Sequence, residues 1–332
     1  TNQIKFTTND MELGIETIVD GTIEEKGIIA LDAKIFYEII RRLPDNTVTI
    51  KTDEKLTATI TCEKAKFTIP GKSGEDFAYL PLIEKEESLT ISQFTLKEMI
   101  RQTIFSIASN ETNKLMTGEL FEIKNNYLKI VSLDGHRIAI RRMELKKDYA
   151  DRKVVVPGKT LNEISKILSG EIDDIVNIYF SKNHILFEFD QTIVVSRLID
   201  GEYFRIDQML SSDYATKVSL NKKDFLDSIE RAIILIREND KKPLILNVGD
   251  NTMELKLNSS FGSMNAELMI HKTGKDIMIG FNPKFLIDAL RVIDDEEINI
   301  YMMNPKSPCF IKDEDATYIY LILPVNFNAA AV

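Results

Sequence analysis

The sequence predicts an α+β fold of three repeated domains with antiparallel sheets, and three observations support this prediction. One pattern, an apolar strand followed by a short amphipathic helix, an acidic break and an alternating strand, begins at Gly27, at Lys153 and at Asp276. The starts lie about 125 residues apart, a spacing typical of an array of equivalent units. The strands alternate apolar and polar residues, and their connections are too short for parallel crossovers. We therefore expect antiparallel sheets, each with one face buried under helices.

A second unit alternates with the first. It begins at Ser88 and at Lys217 as a strand and helix, and a pair of alternating strands follows each time. The opening residues 3–19 match only the later part of this unit, with Asp10 in the place of Asp134. By the repeat, about 35 to 40 residues would come before them in a complete first domain. We expect domains over residues 1–84, 85–212 and 213–332, the first of them without its N-terminal part.

Five short amphipathic helices are predicted, each with one apolar stripe. In the first, over residues 33–43, Phe36, Ile39 and Leu43 recur at helical spacing together with Ile35 and Ile40. Helices this short do not persist alone in water, so each must pack on the flanking sheet. The apolar run at residues 232–236 exceeds one stripe, which predicts that something beyond its own core covers it. The other four helices are expected over residues 95–106, 158–168, 222–237 and 283–292.

The charge of the chain is unevenly distributed. Its formal net charge of -10 argues against a nucleic-acid partner, but the predicted helices sum to about +6 and the remaining residues to about -16. If the helices share one face, that face is positive while the rest of the surface repels polyanions. The alternative, that the helices simply carry Lys and Arg on solvated faces, stays open from charge alone. The candidate cations for a nucleic-acid face are Lys34, Arg41, Arg42, Lys97, Arg101, Lys159, Lys166, Lys222, Lys223 and Lys284.

The composition argues against several other classes of protein. The longest aliphatic run is far below the ~18 residues of a membrane span. Cys62 and Cys309 fall in different repeats, which favours reduced thiols in a cytoplasmic protein over a disulfide or a metal site. No paired-histidine motif and no glycine-rich phosphate loop occurs in the sequence, so we expect no cofactor and no metal.

Ser132, Asp134 and His136 suggest a catalytic interpretation, because a hydroxyl, a carboxylate and an imidazole occur close together. On a strand, however, such residues project from one face about 6.5 to 7 Å apart. That spacing is too long for the direct hydrogen-bond relay between a nucleophile and its base. We therefore expect no catalytic site of the chain's own.

The stretch from Ser132 to Ala139 resembles the TDGHRLA signature of the bacterial sliding clamps, the beta subunits of DNA polymerase III. The resemblance implies a DNA clamp fold, a homodimeric ring with antiparallel sheets outside and helices lining the hole. It also implies a processivity factor that encircles duplex DNA, slides on it without regard to sequence and tethers the replicative polymerase. Five further matches follow the family's order at residues 117–122, 154–159, 198–203, 279–282 and 323–325.

The same resemblance implies a pocket between the second and third domains. Short linear peptides of the polymerase III alpha subunit and of the clamp loader would bind there. Met and Leu walls adapt to apolar anchors, Gly135 would let backbones approach closely, and His136 and Arg137 would give polar contacts at the rim. The matching positions are Met116, Leu133, Gly135, His136, Arg137, Ile138, Phe204, Met209, Asn282, Phe285, Leu321, Leu323, Pro324 and Val325.

Two departures from the family's pattern border this pocket. Phe204 stands where the family often has proline, and Asn326 stands where an arginine is frequent. A repeat scaffold that binds only proteins, with its helix face solvated, remains the alternative to a clamp. The residues that match the family's apolar ring-closing contact are Phe67 and Ile69 on one protomer and Ile234 and Leu235 on the other.

Overall fold

The computed structural model of the protein describes residues 2–85, 87–109, 112–210, 213–237 and 242–327. Within these residues the chain forms short helices and many strands. The helices are α1 Ala33–Ile40, α2 Gln93–Arg101, α3 Gly158–Ile167, α4 Lys222–Ala232 and α5 Pro283–Val292. The strands are β1 Gln3–Asn9, β2 Leu13–Asp20, β3 Ile29–Leu31, β4 Thr49–Thr52, β5 Thr57–Cys62, β6 Ala65–Ser73, β7 Leu89–Ser92, β8 Gly118–Leu133, β9 Arg137–Pro157, β10 Ile175–Phe180, β11 His184–Phe189, β12 Thr192–Arg197, β13 Thr216–Asn221, β14 Leu244–Val248, β15 Thr252–Ser259, β16 Gly262–Met269, β17 His271–Gly274, β18 Ile277–Phe281, β19 Glu297–Met302, β20 Cys309–Lys312 and β21 Tyr318–Ile322.

The chain divides into two compact units. The first comprises Thr1–Ser88 and Asn177–Ser196, and the second comprises Leu89–Val176 and Arg197–Val332. In the first unit, antiparallel strands follow the order β1-β2-β12-β11-β10, and a separate sheet has the order β3-β6-β5-β4. The predicted antiparallel pairing is confirmed here.

Helix α1 packs on the β3-β6-β5-β4 sheet through part of its predicted stripe. Phe36, Ile39 and Leu43 pack against the buried core of this sheet. Ile35 and Ile40, predicted to lie in the same stripe, are instead exposed, so the buried face of the helix is narrower than predicted. Asp32 caps the helix, because its Oδ1 accepts the Ile35 backbone N–H at 2.8 Å.

The second unit contains one seven-stranded sheet in the order β17-β13-β19-β20-β21-β9-β8 and a four-stranded sheet in the order β16-β15-β14-β18. On the face of the large sheet toward α4 and α5, a row of paired residues joins the main core. The residues next to these in sequence form a second row of paired residues, and this second row projects from the opposite face of the sheet. We call it the outer row. The members of the outer row are Lys217, Tyr301, Phe310, Leu321 and Ile138.

The apolar run at residues 232–236 does not continue the fourth helix, which was predicted to reach residue 237. Helix α4 ends at Ala232, and a 3-10 turn follows over Ile233–Leu235. Ile233 and Leu235 pack against the core, whereas Ile234 is 79% exposed. The change of helix type lets two of the three side chains reach the core, which one continuous helical stripe would not allow.

Two hairpin turns mark equivalent positions in successive repeats. Asp10 N–H donates to Leu13 O at 3.1 Å in one turn, and Asp134 N–H donates to Arg137 O at 3.3 Å in the other. Leu13 begins β2 and Arg137 begins β9, so these two residues occupy the same place in the repeat.

The strands that follow these turns form two ladders with the same register. Two residues beyond the turn, Ile15 lies opposite Val194 in the β2–β12 ladder, and Ala139 lies opposite Tyr320 in the β9–β21 ladder. Val194 is 0% and Tyr320 is 1% exposed. Each ladder therefore buries the same position of the repeat.

Cys62 and Cys309 are free, buried thiols, as the sequence predicts. Within the described ranges, no helix is long and apolar enough to cross a membrane.

Candidate functional site

The predicted pocket centres on the hairpin turn that joins β8 to β9. Asp134 Oδ1 accepts the backbone N–H of His136 at 3.0 Å and that of Arg137 at 3.2 Å, which fixes the turn. Gly135 has φ +87, and nothing lies within 4 Å of a Cβ built on it. The expected close approach of a ligand backbone at Gly135 stays a prediction, and the open space there leaves room for it. The glycine is suited to this position because L residues rarely adopt that φ.

Arg137 lies inside the protein rather than at the rim of a pocket. It is 8% exposed, and its Nε donates to Asp134 Oδ2 at 3.0 Å. Nη1 donates to Asp288 Oδ2 on α5 at 2.7 Å, and Nη2 donates to the Phe105 carbonyl at 2.7 Å. The guanidinium carbon also lies 4.5 Å from the centroid of the Phe285 ring. Arg137 thus joins the turn to α5, and the polar contact expected at the rim falls to His136.

His136 is exposed beside the turn. Its ring centroid lies 6.0 Å from that of Phe285, and its carbonyl accepts the Leu323 backbone N–H at 2.9 Å. The Ser132 hydroxyl is buried and donates to the Thr103 carbonyl at 2.5 Å. The Ser132 hydroxyl and the His136 imidazole therefore do not form a relay. The reason is that His136 lies in the turn after β8, and not that the two residues are spaced along one strand, as the sequence suggested.

The apolar wall of the pocket is continuous with the outer row. Leu133, Ile138 and Leu321 belong to one buried cluster, and Met116 and Phe204 pack against it. Phe204, the residue in place of the family's proline, meets the Tyr203 ring edge-on with centroids 5.6 Å apart. Met209 is 53% exposed in a 3-10 turn over Ile206–Met209, so its side chain is available to a ligand.

The C-terminal segment supplies the opposite edge. After β21, Val325 N–H donates to Gly280 O on β18 at 2.8 Å, so Leu323, Pro324 and Val325 lead from the turn toward the start of α5. Asn282 caps α5, because its Oδ1 accepts Lys284 N–H at 3.1 Å. The structure therefore brings the predicted pocket residues together around the turn, α5 and this segment.

Sequence reasoning missed a buried carboxyl group in the strand that leads to this turn. Glu119 on β8 is fully buried, and neither of its oxygens accepts a hydrogen bond from the described residues. Burial raises the pKa of Glu119 to about 8, and the nearby Thr103 hydroxyl donates to the Met99 carbonyl rather than to Glu119. Nothing in the sequence of β8 distinguishes Glu119 from Glu122, which pairs with Lys129 and Lys153 instead.

The ten predicted nucleic-acid-facing cations separate into two groups. Three of them hold the protein together: Lys97 Nζ donates to Leu168 O, Lys222 Nζ to Ile293 O, and Arg101 binds Asp294 at 2.9 Å and also Glu98. The lysines cap the C-terminal ends of α3 and α5. The other seven are exposed: Lys34, Arg41 and Arg42 in the first unit, and Lys159, Lys166, Lys223 and Lys284 in the second. Some of them form ion pairs on the surface: Lys166 with Glu163, Lys223 with Asp227, and both Arg41 and Arg42 with Glu38.

The predicted ring-closing residues differ in exposure. Phe67 is 39% exposed and Ile234 is more exposed still, whereas Ile69 is buried and Leu235 packs partly against the core. Ile69 and Leu235 therefore contribute to the cores of their own units, which leaves Phe67 and Ile234 as the available contact residues.

Comparison with known proteins decides the family. Models of the DNA polymerase III beta subunit match the chain in three parts: the N-terminal domain at residues 1–81, the central domain at 90–204 and the C-terminal domain at 207–326. The chain belongs to the bacterial sliding-clamp family. The Beta sliding clamp of Staphylococcus epidermidis is 32% identical over 98% of this chain and 89% of its own length.

Solved structures agree with this assignment. A structure assigned to the DNA polymerase III beta subunit of Eubacterium rectale is 67% identical, with a TM-score of 0.94 over 98% of this chain and 89% of its own. The DNA polymerase sliding clamp of Bacillus subtilis is 30% identical, with a TM-score of 0.92 over the same shares. As a sliding clamp, the chain has three clamp domains and belongs to a family of non-catalytic polymerase accessory subunits that act as processivity factors.

Proposed function

We propose that two copies of this clamp close a ring by pairing β6 of one copy with β16 of the other. The observation that carries the proposal is the common register of the β2–β12 and β9–β21 ladders. Within the described residues, β16 pairs only with β15, and the part of β6 at Ala65–Pro70 pairs only with β5. At this place in the repeat two ladders are closed, and the free edges of β6 and β16 are the counterparts that a second copy would join.

The repeat also supplies the register of the proposed ladder. Gly262 begins β16 after the β15–β16 turn, as Arg137 begins β9, so Met264 takes the place of Ala139. Phe67 is the third residue of β6, as Val194 is of β12. We therefore place Phe67 opposite Met264. Phe67 is exposed, whereas Val194 at the equivalent position of β12 is buried under a paired strand. This difference is expected if β6 lacks its partner strand.

A pair of cysteine variants tests this register. In Phe67→Cys/Met264→Cys, directly opposite residues bring Cβ atoms to about 4.5–5.5 Å, close enough for an intermolecular disulfide with small movement. In the control Phe67→Cys/Ala266→Cys, the offset of two residues gives about 7–8 Å. We expect covalent dimers on a non-reducing gel from the first variant alone. Equal cross-linking of both, or of neither, would place the interface elsewhere.

The ring would encircle duplex DNA and slide on it. The chain has a net charge of -10 but exposes cations on its helices, which supports weak contacts to the phosphate backbone. Such contacts carry no sequence information. A loaded protein should stay on a nicked circle and slip from a linear duplex. Equal retention on both would contradict encirclement and favour the scaffold that binds proteins only.

The pocket would hold a short peptide of the polymerase III alpha subunit or of the clamp loader. Exposed Met209 and half-buried Met116 and Phe204 offer apolar surface, and exposed His136 offers a polar contact. Removal of residues 323–332 should abolish peptide binding in calorimetry, whereas removal of residues 328–332 alone should not. Binding that survives the larger deletion would move the site.

Two further proposals concern the domain boundaries and the cellular compartment. We keep domains at residues 1–84, 85–212 and 213–332, supported by family matches at 1–81 and 90–204, which fall inside the first two ranges, and at 207–326, which begins six residues before the third. A clamp on bacterial chromosomal DNA would act in the cytoplasm.

A further inference from the structure

Beyond the pocket, the outer row ends in a cluster of two lysines and two tyrosines, which we call the Tyr301 cluster: Tyr214, Lys217, Tyr301 and Lys312. Lys217 lies directly opposite Tyr301 in the β13–β19 ladder. Its Nζ is 5.6 Å from the Tyr301 ring centroid, and the Nζ of Lys312 is 5.0 Å from it. The half-exposed Tyr214 meets the same ring edge-on at 5.1 Å.

The two ammonium groups of the Tyr301 cluster have no carboxylate partner in the part of the chain that the structure describes. Neither Lys217 nor Lys312 forms an ion pair with any described residue, whereas Lys272 on the neighbouring β17 binds both Asp250 and Asp276. Asp313, next to Lys312 in sequence, turns instead to the backbone and hydroxyl of Thr317. Because both ammonium groups lie within 5.6 Å of one ring centre, they are at most about 11 Å apart. Their positive potentials therefore add around the ring.

The location of the Tyr301 cluster favours a protein ligand over DNA. The outer row projects from the face of the sheet away from α4 and α5, and those helices carry Lys223 and Lys284, two of the cations that we assign to DNA. The same row contains Leu321 and Ile138, which form the wall of the pocket. Along the row, Leu321 and Lys217 are three strand spacings apart, about 14 Å. An extended peptide covers that distance in about four residues.

We infer that the Tyr301 cluster binds an acidic side chain of the partner peptide, about four residues from the apolar anchor that occupies the pocket. The inference rests on the proposed peptide-binding function. The anchor would pack on the half-buried Met116 and Phe204, which cover Leu321 and Ile138, and the flanking carboxylate would contact the ammonium groups of Lys217 and Lys312. Its contribution is electrostatic, so it falls with added salt, whereas the contribution of the anchor does not.

The test compares peptides that share one apolar anchor and differ in their flanks. One peptide carries two Glu about four residues before the anchor, one carries them the same distance after it, and each has a counterpart with Gln. We expect one of the Glu peptides to bind the unmodified protein about three- to fivefold tighter than its Gln counterpart in calorimetry. The gain should disappear in Lys217→Gln/Lys312→Gln. It should persist in Lys26→Gln/Lys55→Gln, which removes the same charge elsewhere.

The outcomes separate this inference from the proposed function. If all peptides bind and the Glu flanks give no gain, or the gain survives in Lys217→Gln/Lys312→Gln, the acidic subsite is wrong and the pocket stands. If no peptide with the apolar anchor binds, the pocket is wrong. In that case a tetrapeptide of Glu, which has no apolar anchor, tests whether the Tyr301 cluster binds carboxylates without the pocket. It should shift the Tyr301 ring resonances of the unmodified protein at low salt, and no shift would overturn the subsite too.

Discussion

Arg137 and Lys284 are both cations that the sequence assigned to a ligand, yet the structure uses them differently. Arg137 is buried and donates to Asp134, Asp288 and Phe105, whereas Lys284 is exposed on α5 without an ion-pair partner among the described residues. Arg137 belongs to the junction of the second and third repeats, and Lys284 to the helix surface. The number of internal partners, and not the charge itself, separates a cation that holds the fold from one that is free to meet DNA.

The largest expected effect is at the junction. Arg137→Met would leave the carboxylates of Asp134 and Asp288 partly buried without their counter-charge, so we expect the free energy of unfolding to fall by about 3–5 kcal/mol. Urea unfolding of the variant and of the unmodified protein measures this loss of free energy. The matched control Asp134→Asn/Arg137→Met/Asp288→Asn should recover part of the loss because no unpaired charge remains. A loss below about 1 kcal/mol for the single variant would mean that the junction does not depend on this cation.

Glu119 extends the comparison to a buried acid that lacks an ionic partner. Its pKa is raised to about 8 from 4.5, so the folded protein retains a proton that the unfolded chain loses between these values. The unfolded state then binds fewer protons, and stability falls as the pH rises from about 4.5 to about 8 and levels off above that. Relative to Glu119→Gln, the unmodified protein should lose a few kcal/mol across this window. Urea midpoints at pH 5, 6.5, 8 and 9 measure the difference, and a difference constant with pH would contradict a buried neutral carboxyl.

Much of the fold follows from the sequence because the repeat and the alternation are local patterns. Strand pairing and the end of α5 at Val292 agree with the spacing of apolar residues. The partners of Arg137 could not be predicted in this way, because Asp288 lies 151 residues away along the chain. Periodicity identifies the face on which a side chain lies, but it does not identify which distant group meets it. The same limit applies to Gly135, whose backbone conformation and open surroundings depend on the turn.

Arg101 is an intermediate case, since its guanidinium is about one-third exposed and pairs with Glu98 and Asp294. Asp294 is itself mostly exposed, so water screens the pair. We expect Arg101→Gln to lower the free energy of unfolding by no more than about 1 kcal/mol. A loss near that of Arg137→Met would show that exposure does not rank these two cations.

The smallest effect is expected on the helix surface. Lys284→Gln should leave urea unfolding unchanged, because the exposed ammonium has no ion-pair partner among the described residues. If Lys284 neutralises one phosphate, its loss reduces the slope of log affinity against log salt by about 0.9. Binding to a short duplex, measured by fluorescence anisotropy at several salt concentrations, gives that slope. Arg101→Gln is the matched control and should leave the slope unchanged, because its charge is already neutralised by two carboxylates. A change in slope for Arg101→Gln as large as for Lys284→Gln would remove the distinction between the two groups of cations.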